Sequence, residues 1–494
     1  MITKIHIMKK LSCFKIGAFL ILLSLSSCLQ EKRPPNIVFI LADDLGWADL
    51  PVYGNGFNEA PNITKLAAEG MRFDNAYAAC PVCSPTRASI QSGQYPARIG
   101  VTDFITGHWR PYEEVIVPIN KTQYLPLENI TFAEKLQEAG YATGYFGKWH
   151  LGRGEFFPIN QGYDEQVVYD GGGFFNYGSR MNPPQEIPES KVLSEALTDM
   201  GLSFIEQNKE KPFLLFLSHY DVHVQLDAQQ ELIDKYLAKE KSDAYPGNAV
   251  YAAMIENIDN SVGRIIKRLS ELGLSENTIV FFFSDNGGLV SRFDKIPLHA
   301  KSKLHIYEGD TMQYIATSNA PLRAEKGTVY EGGIREPLII KWPGKVQAGS
   351  LNHSVITSVD FYPTILELAG VLSDPIQKMD GESMVNIITK SVENYDRPVF
   401  WHYPVYHHDV PASVVRYGDY KLIENLVNGS LELYDLSSDI SESDNLAELM
   451  PDKTLELHKL LKAWLQDVNA EFPGPNPNFD PGRRYEWGKH PDRK

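Results

Sequence analysis

The sequence predicts an α/β protein with a large, mostly parallel sheet sandwiched by helices, plus a smaller C-terminal antiparallel sheet with a helix. Short apolar runs alternate with amphipathic helical patterns along most of the chain, and strands separated by helices usually pair in parallel. Near residue 390 the pattern changes to short strands joined by turns. The length of 494 residues suits one large domain followed by a smaller one.

The elements of the larger region can be assigned in chain order. An apolar run at 36–41 is typical of a buried strand that stops at Asp43-Asp44. Asn62 is predicted to cap a helix that runs to about Glu69. Thr131 and Glu134 form a capping box for a helix that ends at Gly140. The other predicted elements are strands over 141–146, 213–218, 278–283 and 338–341 and helices over 247–272 and about 361–368.

The region after residue 390 is predicted to be a small α+β unit. Short strands are expected over 398–401, 413–416 and 420–423, followed by a helix over 452–465. The segment from Phe472 is rich in Pro, Gly and Asn, which predicts coil. We therefore divide the chain into a signal segment at 1–28, an α/β domain at 33–390, and a C-terminal subdomain with a coil tail at 391–494.

Composition excludes several classes of protein. Apolar residues make up 43% and charged residues 22%, which excludes a disordered, collagen-like or disulfide-scaffold protein. Lys and Arg number 47 against 63 Asp and Glu, for a net charge of −16. A nucleic-acid binder would instead carry a basic footprint, so we expect no nucleic-acid partner. No run of 18 apolar residues occurs, which argues against a conventional transmembrane helix.

The first 28 residues are predicted to be a targeting segment. A start containing four lysines precedes an apolar stretch at 16–25, which is too short to span a bilayer. The quartet Leu25-Ser26-Ser27-Cys28 resembles a bacterial lipobox, which implies that Cys28 is acylated and becomes the mature N-terminus. We expect an exported lipoprotein in the periplasm or at the outer membrane or cell surface, held by its lipid. An uncleaved anchor or a plain secretory signal are the alternatives.

Two pairs of adjacent acidic or amide residues follow predicted strands. Asp43-Asp44 ends the first strand, and Asp285-Asn286 ends the strand at 278–283. Ligands of open parallel sheets bind beyond the carboxyl ends of the strands. Carboxylate and amide oxygens suit Ca²⁺ or Mg²⁺ better than Zn²⁺. Each pair alone could simply cap a helix.

The segment Cys83-Ser84-Pro85-Thr86-Arg87 is more specific. Pro85 suits the first turn of a helix that continues to Gly93, which places Cys83 at a helix N-terminus that favours an anion. Arg87 lies one turn further on and can donate two hydrogen bonds to an oxyanion. Alternatively, Cys80 and Cys83 could form a redox or disulfide pair in an exported protein.

The Cys-x-Pro-x-Arg segment, followed by Ala88 and closed by Gly93, resembles the signature of type I sulfatases. This formylglycine-dependent family belongs to the alkaline-phosphatase superfamily, and the chain looks like its bacterial glycan-degrading lipoproteins. The resemblance runs from about Asn36 into the C-terminal region and implies an alkaline-phosphatase-like catalytic domain at 33–390. The supporting motifs are Asp43-Asp44, Gly147-Lys148-Trp149-His150-Leu151-Gly152, Ser284-Asp285-Asn286-Gly287-Gly288, Lys326-Gly327-Thr328 and Glu331-Gly332-Gly333.

The resemblance implies that a maturase oxidises Cys83 to Cα-formylglycine, an aldehyde hydrated to a geminal diol. One diol oxygen attacks sulfur, and the other hydroxyl then expels sulfate and regenerates the aldehyde. Asp285 is the implied base for the diol proton. The implied ligands of one Ca²⁺ are Asp43, Asp44, Asp285, Asn286 and the modified Cys83.

Further roles are carried over from the family. Arg87 would hold the hydrated aldehyde, while Lys148 and Lys326 would bind sulfate oxygens. His150, two residues beyond Lys148 on a segment expected to be extended, would take a proton during elimination. His223 would protonate the departing alcohol, with His219 as the alternative. Relatives usually have Pro two residues after this His, where the chain has Gln225.

Substrate contacts are less well marked. Arg323 and His402 are the predicted substrate-binding residues, and six basic side chains between 292 and 305 are predicted to be mostly a solvated loop face. The resemblance implies a carbohydrate sulfatase of the bacterial, usually exo-acting kind, and the acidic body fits this because it repels long polysulfated chains. By resemblance alone, galactose or N-acetylgalactosamine 4-sulfate is the favoured substrate. A phosphodiester or phosphonate monoester hydrolase and a non-catalytic glycan-binding lipoprotein are the alternatives.

Overall fold

The computed structural model of the protein describes residues 33–488, apart from residues 108, 242–244, 293, 391 and 393–396. The predicted signal segment and Cys28 lie outside the described residues and stay predictions. The boundary at 390/391 adjoins such residues and stays a prediction too. Within the described part of the chain, no helix has both the length and the apolar character needed to cross a bilayer.

The described strands are short and spread over the whole body of the protein. In chain order they are β1 (Asn36–Ala42), β2 (Met71–Tyr77), β3 (Val115–Ile116), β4 (Ala142–Gly147), β5 (Glu165–Val168), β6 (Phe213–Ser218), β7 (Thr278–Ser284), β8 (Arg335–Lys341), β9 (Ser350–Asn352), β10 (Ile356–Thr357), β11 (Val399–Tyr403), β12 (Ala412–Tyr417), β13 (Tyr420–Asn425), β14 (Leu431–Asp435) and β15 (Gly474–Pro475).

The described α-helices vary from one turn to more than six. In chain order they are α1 (Pro61–Glu69), α2 (Cys83–Ser92), α3 (Pro96–Ile99), α4 (Phe132–Glu138), α5 (Leu193–Asn208), α6 (Gln230–Leu237), α7 (Ala249–Glu271), α8 (Glu331–Ile334), α9 (Phe361–Ala369), α10 (Val385–Lys390) and α11 (Pro451–Asp467).

The central sheet is mixed but mostly parallel, which confirms the predicted fold class. Its order is β10-β2-β8-β7-β1-β6-β4-β5, with β9 also paired to β2. β8 pairs antiparallel with both β7 and β2, whereas the other neighbours in this sheet are parallel. Because β8 reverses direction, the segment between β7 and β8 begins and ends at one edge of the sheet. This reversal brings Lys326 back to the edge that carries Asp285.

Both faces of the sheet are covered by helices. Side chains along β1 alternate between two separate apolar clusters: Ile37, Phe39 and Leu41 belong to one, and Val38 and Ile40 to the other. The first cluster includes α4 and α9, and the second includes α5 and α7. A strand that is buried on both faces has a continuous apolar sequence, which is why β1 could be predicted from the sequence.

Most predicted elements are confirmed within a few residues. β6 and the capping box of α4 match the predictions, since the Thr131 side chain accepts from Glu134 N and Glu134 accepts from Thr131 N. The predicted cap of α1 is wrong. Ala60 is the N-cap, and Asn62 lies inside the first turn, where its Nδ2 donates to Asp259 Oδ2 at 2.7 Å.

The C-terminal unit is an antiparallel sheet in the order β11-β12-β13-β14, with α11 packed against it. β14 was not predicted because its charged residues interrupt the apolar pattern. The prediction of coil from Phe472 is wrong at one point. Gly474–Pro475 forms β15 and pairs antiparallel with β3.

Candidate active site

The polar residues of the predicted motifs gather at one edge of the central sheet. β1, β4, β6 and β7 end in register, with Leu41 and Gly147 both opposite Ser218 and with Ala42 opposite Ser284. Asp43-Asp44, Lys148 and Asp285 each follow directly after one of these ends. Parallel strands thus bring together residues that lie more than 200 positions apart.

Cys83 is the first residue of α2, and Val82 is the N-cap. The helix ends at Gly93, whose φ of +68° suits glycine at a helix C-terminus. Cys83 is buried, and its Sγ lies 3.2 Å from Nδ1 of His150. Burial raises the pKa of the Cys83 thiol. Cys80 and Cys83 are both free cysteines, so the structure contains no disulfide between them.

Arg87 connects α2 to three strand ends. Its Nε and Nη2 lie 2.8 and 2.7 Å from Oδ2 of Asp285, and its Nη1 donates to Ser218 Oγ at 2.6 Å and to the Lys148 carbonyl at 2.7 Å. Arg87 and Asp285 are both buried. The guanidinium therefore fixes the position of Cys83 relative to the acidic edge, which is the edge of the sheet that carries Asp43, Asp44 and Asp285.

Both predicted sulfate ligands are paired with carboxylates. Lys148 Nζ lies 2.5 Å from Asp43 Oδ2, and Lys326 Nζ lies 2.6 and 2.8 Å from the two oxygens of Asp44. Asn286 Nδ2 donates to Asp44 Oδ1 at 2.8 Å. Burial is the largest single influence and raises the pKa of Asp44, but Lys326, through its charge and hydrogen bond, acts together with His223 and Lys148 to hold that pKa well below its usual range.

The acidic residues fit a divalent cation. Asp43 Oδ1 and Asn286 Oδ1 are buried and have no hydrogen-bond partner among the described residues, although buried polar oxygens are normally satisfied. Burial and the charge of Asp43 raise the pKa of Asp285 to about 6. A hard cation bound among these oxygens would satisfy the two orphaned atoms and compensate the buried carboxylates.

His150 adopts a conformation that the sequence did not predict. Its φ is +55°, so the expected extended segment from Lys148 is wrong, although both side chains line the same pocket. Asp170 Oδ1 accepts hydrogen bonds from the backbone N–H groups of Trp149 and His150, each at 2.9 Å. Nε2 of His150 contacts the Ile105 carbonyl. Burial lowers the pKa of His150 to about 4.

The two candidate histidines after β6 lie in different places. His223 lines the pocket, and its Nε2 lies 3.7 Å from Asp44 Oδ2. Its Nδ1 lies 2.5 Å from the Val224 carbonyl. Burial lowers the pKa of His223 to about 3. His219 is fully buried with its Nε2 2.9 Å from Ser261 Oγ on α7. The structure therefore brings His223 to the pocket and leaves His219 in the core.

The pocket above this edge has a volume of about 400 Å³. It includes Cys83, Lys148, His150, His223 and Lys326, which four separate segments of the sequence supply. Several other lining residues were not predicted, because no motif marks them and long-range folding alone brings them here. They are Phe104, Asp170, Tyr220, Asp294, His408 and Trp487.

The two predicted substrate contacts are not among the residues that line this pocket. Arg323 Nη1 donates to the Tyr434 hydroxyl at 2.9 Å and to the Glu442 carbonyl at 2.8 Å. His402 is buried, with its ring nitrogens 2.8 Å from Ser413 Oγ and from the Glu471 carbonyl. Arg323 therefore links the larger domain to the C-terminal unit, and His402 connects two parts of that unit. Arg292, from the basic loop, does line the pocket.

Comparison with known proteins gives consistent matches. The family model described as sulfatase matches residues 35–371, and the model described as N-sulphoglucosamine sulphohydrolase, C-terminal, matches residues 324–471. A sulfatase of Formosa agariphila is 32% identical, covering 94% of this chain and 95% of its own. N-acetylgalactosamine-6-sulfatase of Mus musculus is 31% identical over 97% of this chain and 88% of its own. The crystal structure of Ps i-CgsB in complex with k-i-k-neocarrahexaose has a TM-score of 0.73 and 26% identity, covering 90% of this chain and 95% of that one.

Proposed function

The chain belongs to the sulfatase family of sulfuric ester hydrolases, and we propose that it removes sulfate from a carbohydrate by exo-action. The observation that carries this proposal is the single pocket that joins Cys83, two lysines and two histidines above an acidic edge. The mouse relative is named for a sulfated amino sugar, and Ps i-CgsB was crystallised with an oligosaccharide. Galactose or N-acetylgalactosamine 4-sulfate remains our proposed substrate, although the mouse relative is named for the 6-position.

We propose that Cys83 is converted to formylglycine by a maturase. A thiol whose pKa burial raises is a poor nucleophile at neutral pH. Formylglycine supplies a hydrated aldehyde, whose two hydroxyls permit attack on sulfur and later release of sulfate. Position 83 is suited to this chemistry because Arg87 holds its helix against Asp285.

The two histidines have different tasks in this proposal. If Nε2 of His150 donates to the Ile105 carbonyl, Nδ1 is the basic nitrogen and faces residue 83. It can therefore accept the proton of a residue-83 hydroxyl when sulfate is released. The anionic ester offsets the burial of His223 and raises its pKa again. Protonated Nε2 of His223 can then donate to the sugar oxygen as the S–O bond breaks.

The ionic groups stabilise charge on the sulfate. Lys148 and Lys326 line the pocket and would bind sulfate oxygens in the transition state. Asp43, Asp44, Asp285 and Asn286 would hold one Ca²⁺, whose chemistry is to lower the pKa of the attacking hydroxyl and to neutralise a sulfate oxygen.

We also propose that the protein is exported and attached to the outer membrane through acylated Cys28. The lipobox-like quartet at 25–28 and the lysine-rich start support this. Radiolabelled palmitate incorporated into the wild type, but not into Cys28→Ala, would be the expected result. Equal labelling of both proteins would exclude this anchor.

Two measurements on purified protein test the catalytic proposal. Mass spectrometry of tryptic peptide 73–87 should show a mass about 18 Da below that of the thiol form. Activity should be compared on galactose and N-acetylgalactosamine carrying 4- or 6-sulfate, on 4-nitrophenyl sulfate and on an aryl phosphate diester, with Cys83→Ala as the inactive control. An unmodified Cys83 in active protein would contradict formylglycine catalysis. Preference for the phosphate diester would favour the phosphoesterase alternative.

A further inference from the structure

The C-terminal tail is fastened to the loop that precedes and contains β3. Asn476 Nδ2 donates to the carbonyls of Pro111 and Glu113 at 2.9 and 2.6 Å, next to the short β15–β3 pairing. Arg484 Nη2 lies 3.1 Å from Oε2 of buried Glu113, and Gly488 N donates to the Trp109 carbonyl at 3.0 Å. Contacts spread along residues 474–488 therefore give the tail one defined path.

This path brings the indole of Trp487 to the wall of the pocket that contains Cys83. The guanidinium of buried Arg110 lies 5.1 Å from the centre of the indole and 5.6 Å from the ring of Tyr485. Arg110 is itself held by Glu113, whose Oε1 lies 3.2 Å from Nη1. Trp487 is 40% exposed although it is clamped in this way. A large, pre-positioned aromatic surface is thus available to a ligand.

The rest of the pocket fits a sugar. Phe104 and Tyr220 add further aromatic side chains to the lining, whereas Asp170, Arg292 and Asp294 add charged groups. A pyranose presents C–H bonds on its ring faces and hydroxyls around its rim, so it needs an aromatic surface together with polar acceptors and donors. The volume of about 400 Å³ suits one sugar unit with its sulfate.

We propose that Trp487 is the platform on which the sugar ring of the substrate stacks, so that the C-terminal tail forms part of the substrate-binding site. This inference rests on the proposed carbohydrate sulfatase function and names how that site holds its sugar. The platform binds the sugar in the ground state and the transition state alike. It therefore determines KM for the sugar and leaves kcat and sulfate binding unaffected.

The test compares three full-length variants with the wild type. Trp487→Ala should raise KM for the best sulfated monosaccharide about five- to tenfold, with kcat within twofold. The inhibition constant of inorganic sulfate should not change, because sulfate contacts the lysines. Trp487→Phe should keep KM within about threefold of the wild type, since a smaller aromatic surface remains. Tyr485→Ala is the matched control, because Tyr485 also contacts Arg110 but does not line the pocket.

The outcomes separate this inference from the proposed function. If the wild type hydrolyses sulfated sugars and Trp487→Ala has an unchanged KM, the proposal that Trp487 stacks on the sugar is wrong and the sulfatase proposal stands. An equal rise in KM for Tyr485→Ala and Trp487→Ala would mean that the order of the tail matters and would overturn stacking. A wild type that hydrolyses none of the sulfated sugars would overturn both proposals.

Discussion

Replacing Arg87 tests how the candidate site is built. The perturbation is Arg87→Ala, which removes the guanidinium that links α2 to Asp285. The side chains of Arg87 and Asp285 are 2% and 0% exposed, with two nitrogens of the guanidinium within 2.8 Å of Asp285 Oδ2. Removing one member of a buried ion pair leaves the other charge uncompensated in a medium that solvates it poorly.

The magnitude follows from which partners are left unsatisfied. The Lys148 carbonyl keeps its hydrogen bonds from Ser218 Oγ and the Tyr145 hydroxyl, at 2.8 and 2.6 Å. Losing the hydrogen bond from Arg87 to this carbonyl therefore costs little stability. The cost therefore comes mainly from Asp285, and we expect the free energy of unfolding to fall by about 3–5 kcal/mol without metal. In Ca²⁺ the cost should be smaller, because a cation bound at Asp285 compensates the carboxylate that loses Arg87.

Urea unfolding in EDTA and in Ca²⁺ measures both effects. Arg98→Ala is the matched control. Arg98 also contacts two carboxylates, Asp380 and Asp467, but lies nearer the surface. It should lose about 1 kcal/mol, equally in both buffers. A loss below about 1 kcal/mol for Arg87→Ala in EDTA would refute the buried-charge reasoning, and an equal loss in both buffers would refute a cation at Asp285.

Three further predictions concern single side chains. His223→Ala should lose about 10²–10⁴-fold in kcat on a sulfated sugar and much less on 4-nitrophenyl sulfate, whose leaving group needs no proton. If His219→Ala shows this pattern instead, His219 and not His223 is the proton donor. Lys326→Ala should slow both substrates by the same factor, and unequal factors would contradict a role confined to sulfate. Burial raises the pKa of Asp221 to about 8 from 3.8, so the folded state holds a proton that the unfolded chain releases, and stability falls as pH rises through about 4 to 8. Asp221→Asn should narrow the difference in melting temperature between pH 5 and pH 9, and an unchanged difference would mean that Asp221 is ionised in the fold.

Local sequence patterns were sufficient for the elements that local chemistry determines. The apolar run of β6 and the 3.6-residue period of α7 were visible because burial on two faces or on one stripe leaves a distinct pattern. The capping box of α4 was visible because its hydrogen bonds span only three residues. The direction of β8 was not visible in the sequence, since its pairing with β7 and β2 depends on residues that lie far away in the chain.

The candidate site shows the same division. Residues in motifs, such as Cys83 and Lys148, were found in the sequence because one short segment places each at a helix or strand end. Trp487 was not predicted to line the pocket, because the path of the C-terminal tail depends on contacts with a loop more than 350 residues earlier. His402 and Arg323 do not line this pocket, because their hydrogen-bond partners lie in the C-terminal unit, and their contact with substrate stays a prediction.

The lysines proposed to bind sulfate are held by the carboxylates proposed to bind the cation. Lys148 pairs with Asp43 and Lys326 with Asp44, while Arg87 pairs with Asp285. Three buried cationic side chains thus face three buried carboxylates, so each of these charges has an opposite charge beside it. Each lysine would give up its carboxylate to a bound cation, and its charge would then be available to sulfate oxygens. A divalent cation and a sulfate ester would consequently favour each other's binding, so the proposed site would suit the pair of ions better than either one alone.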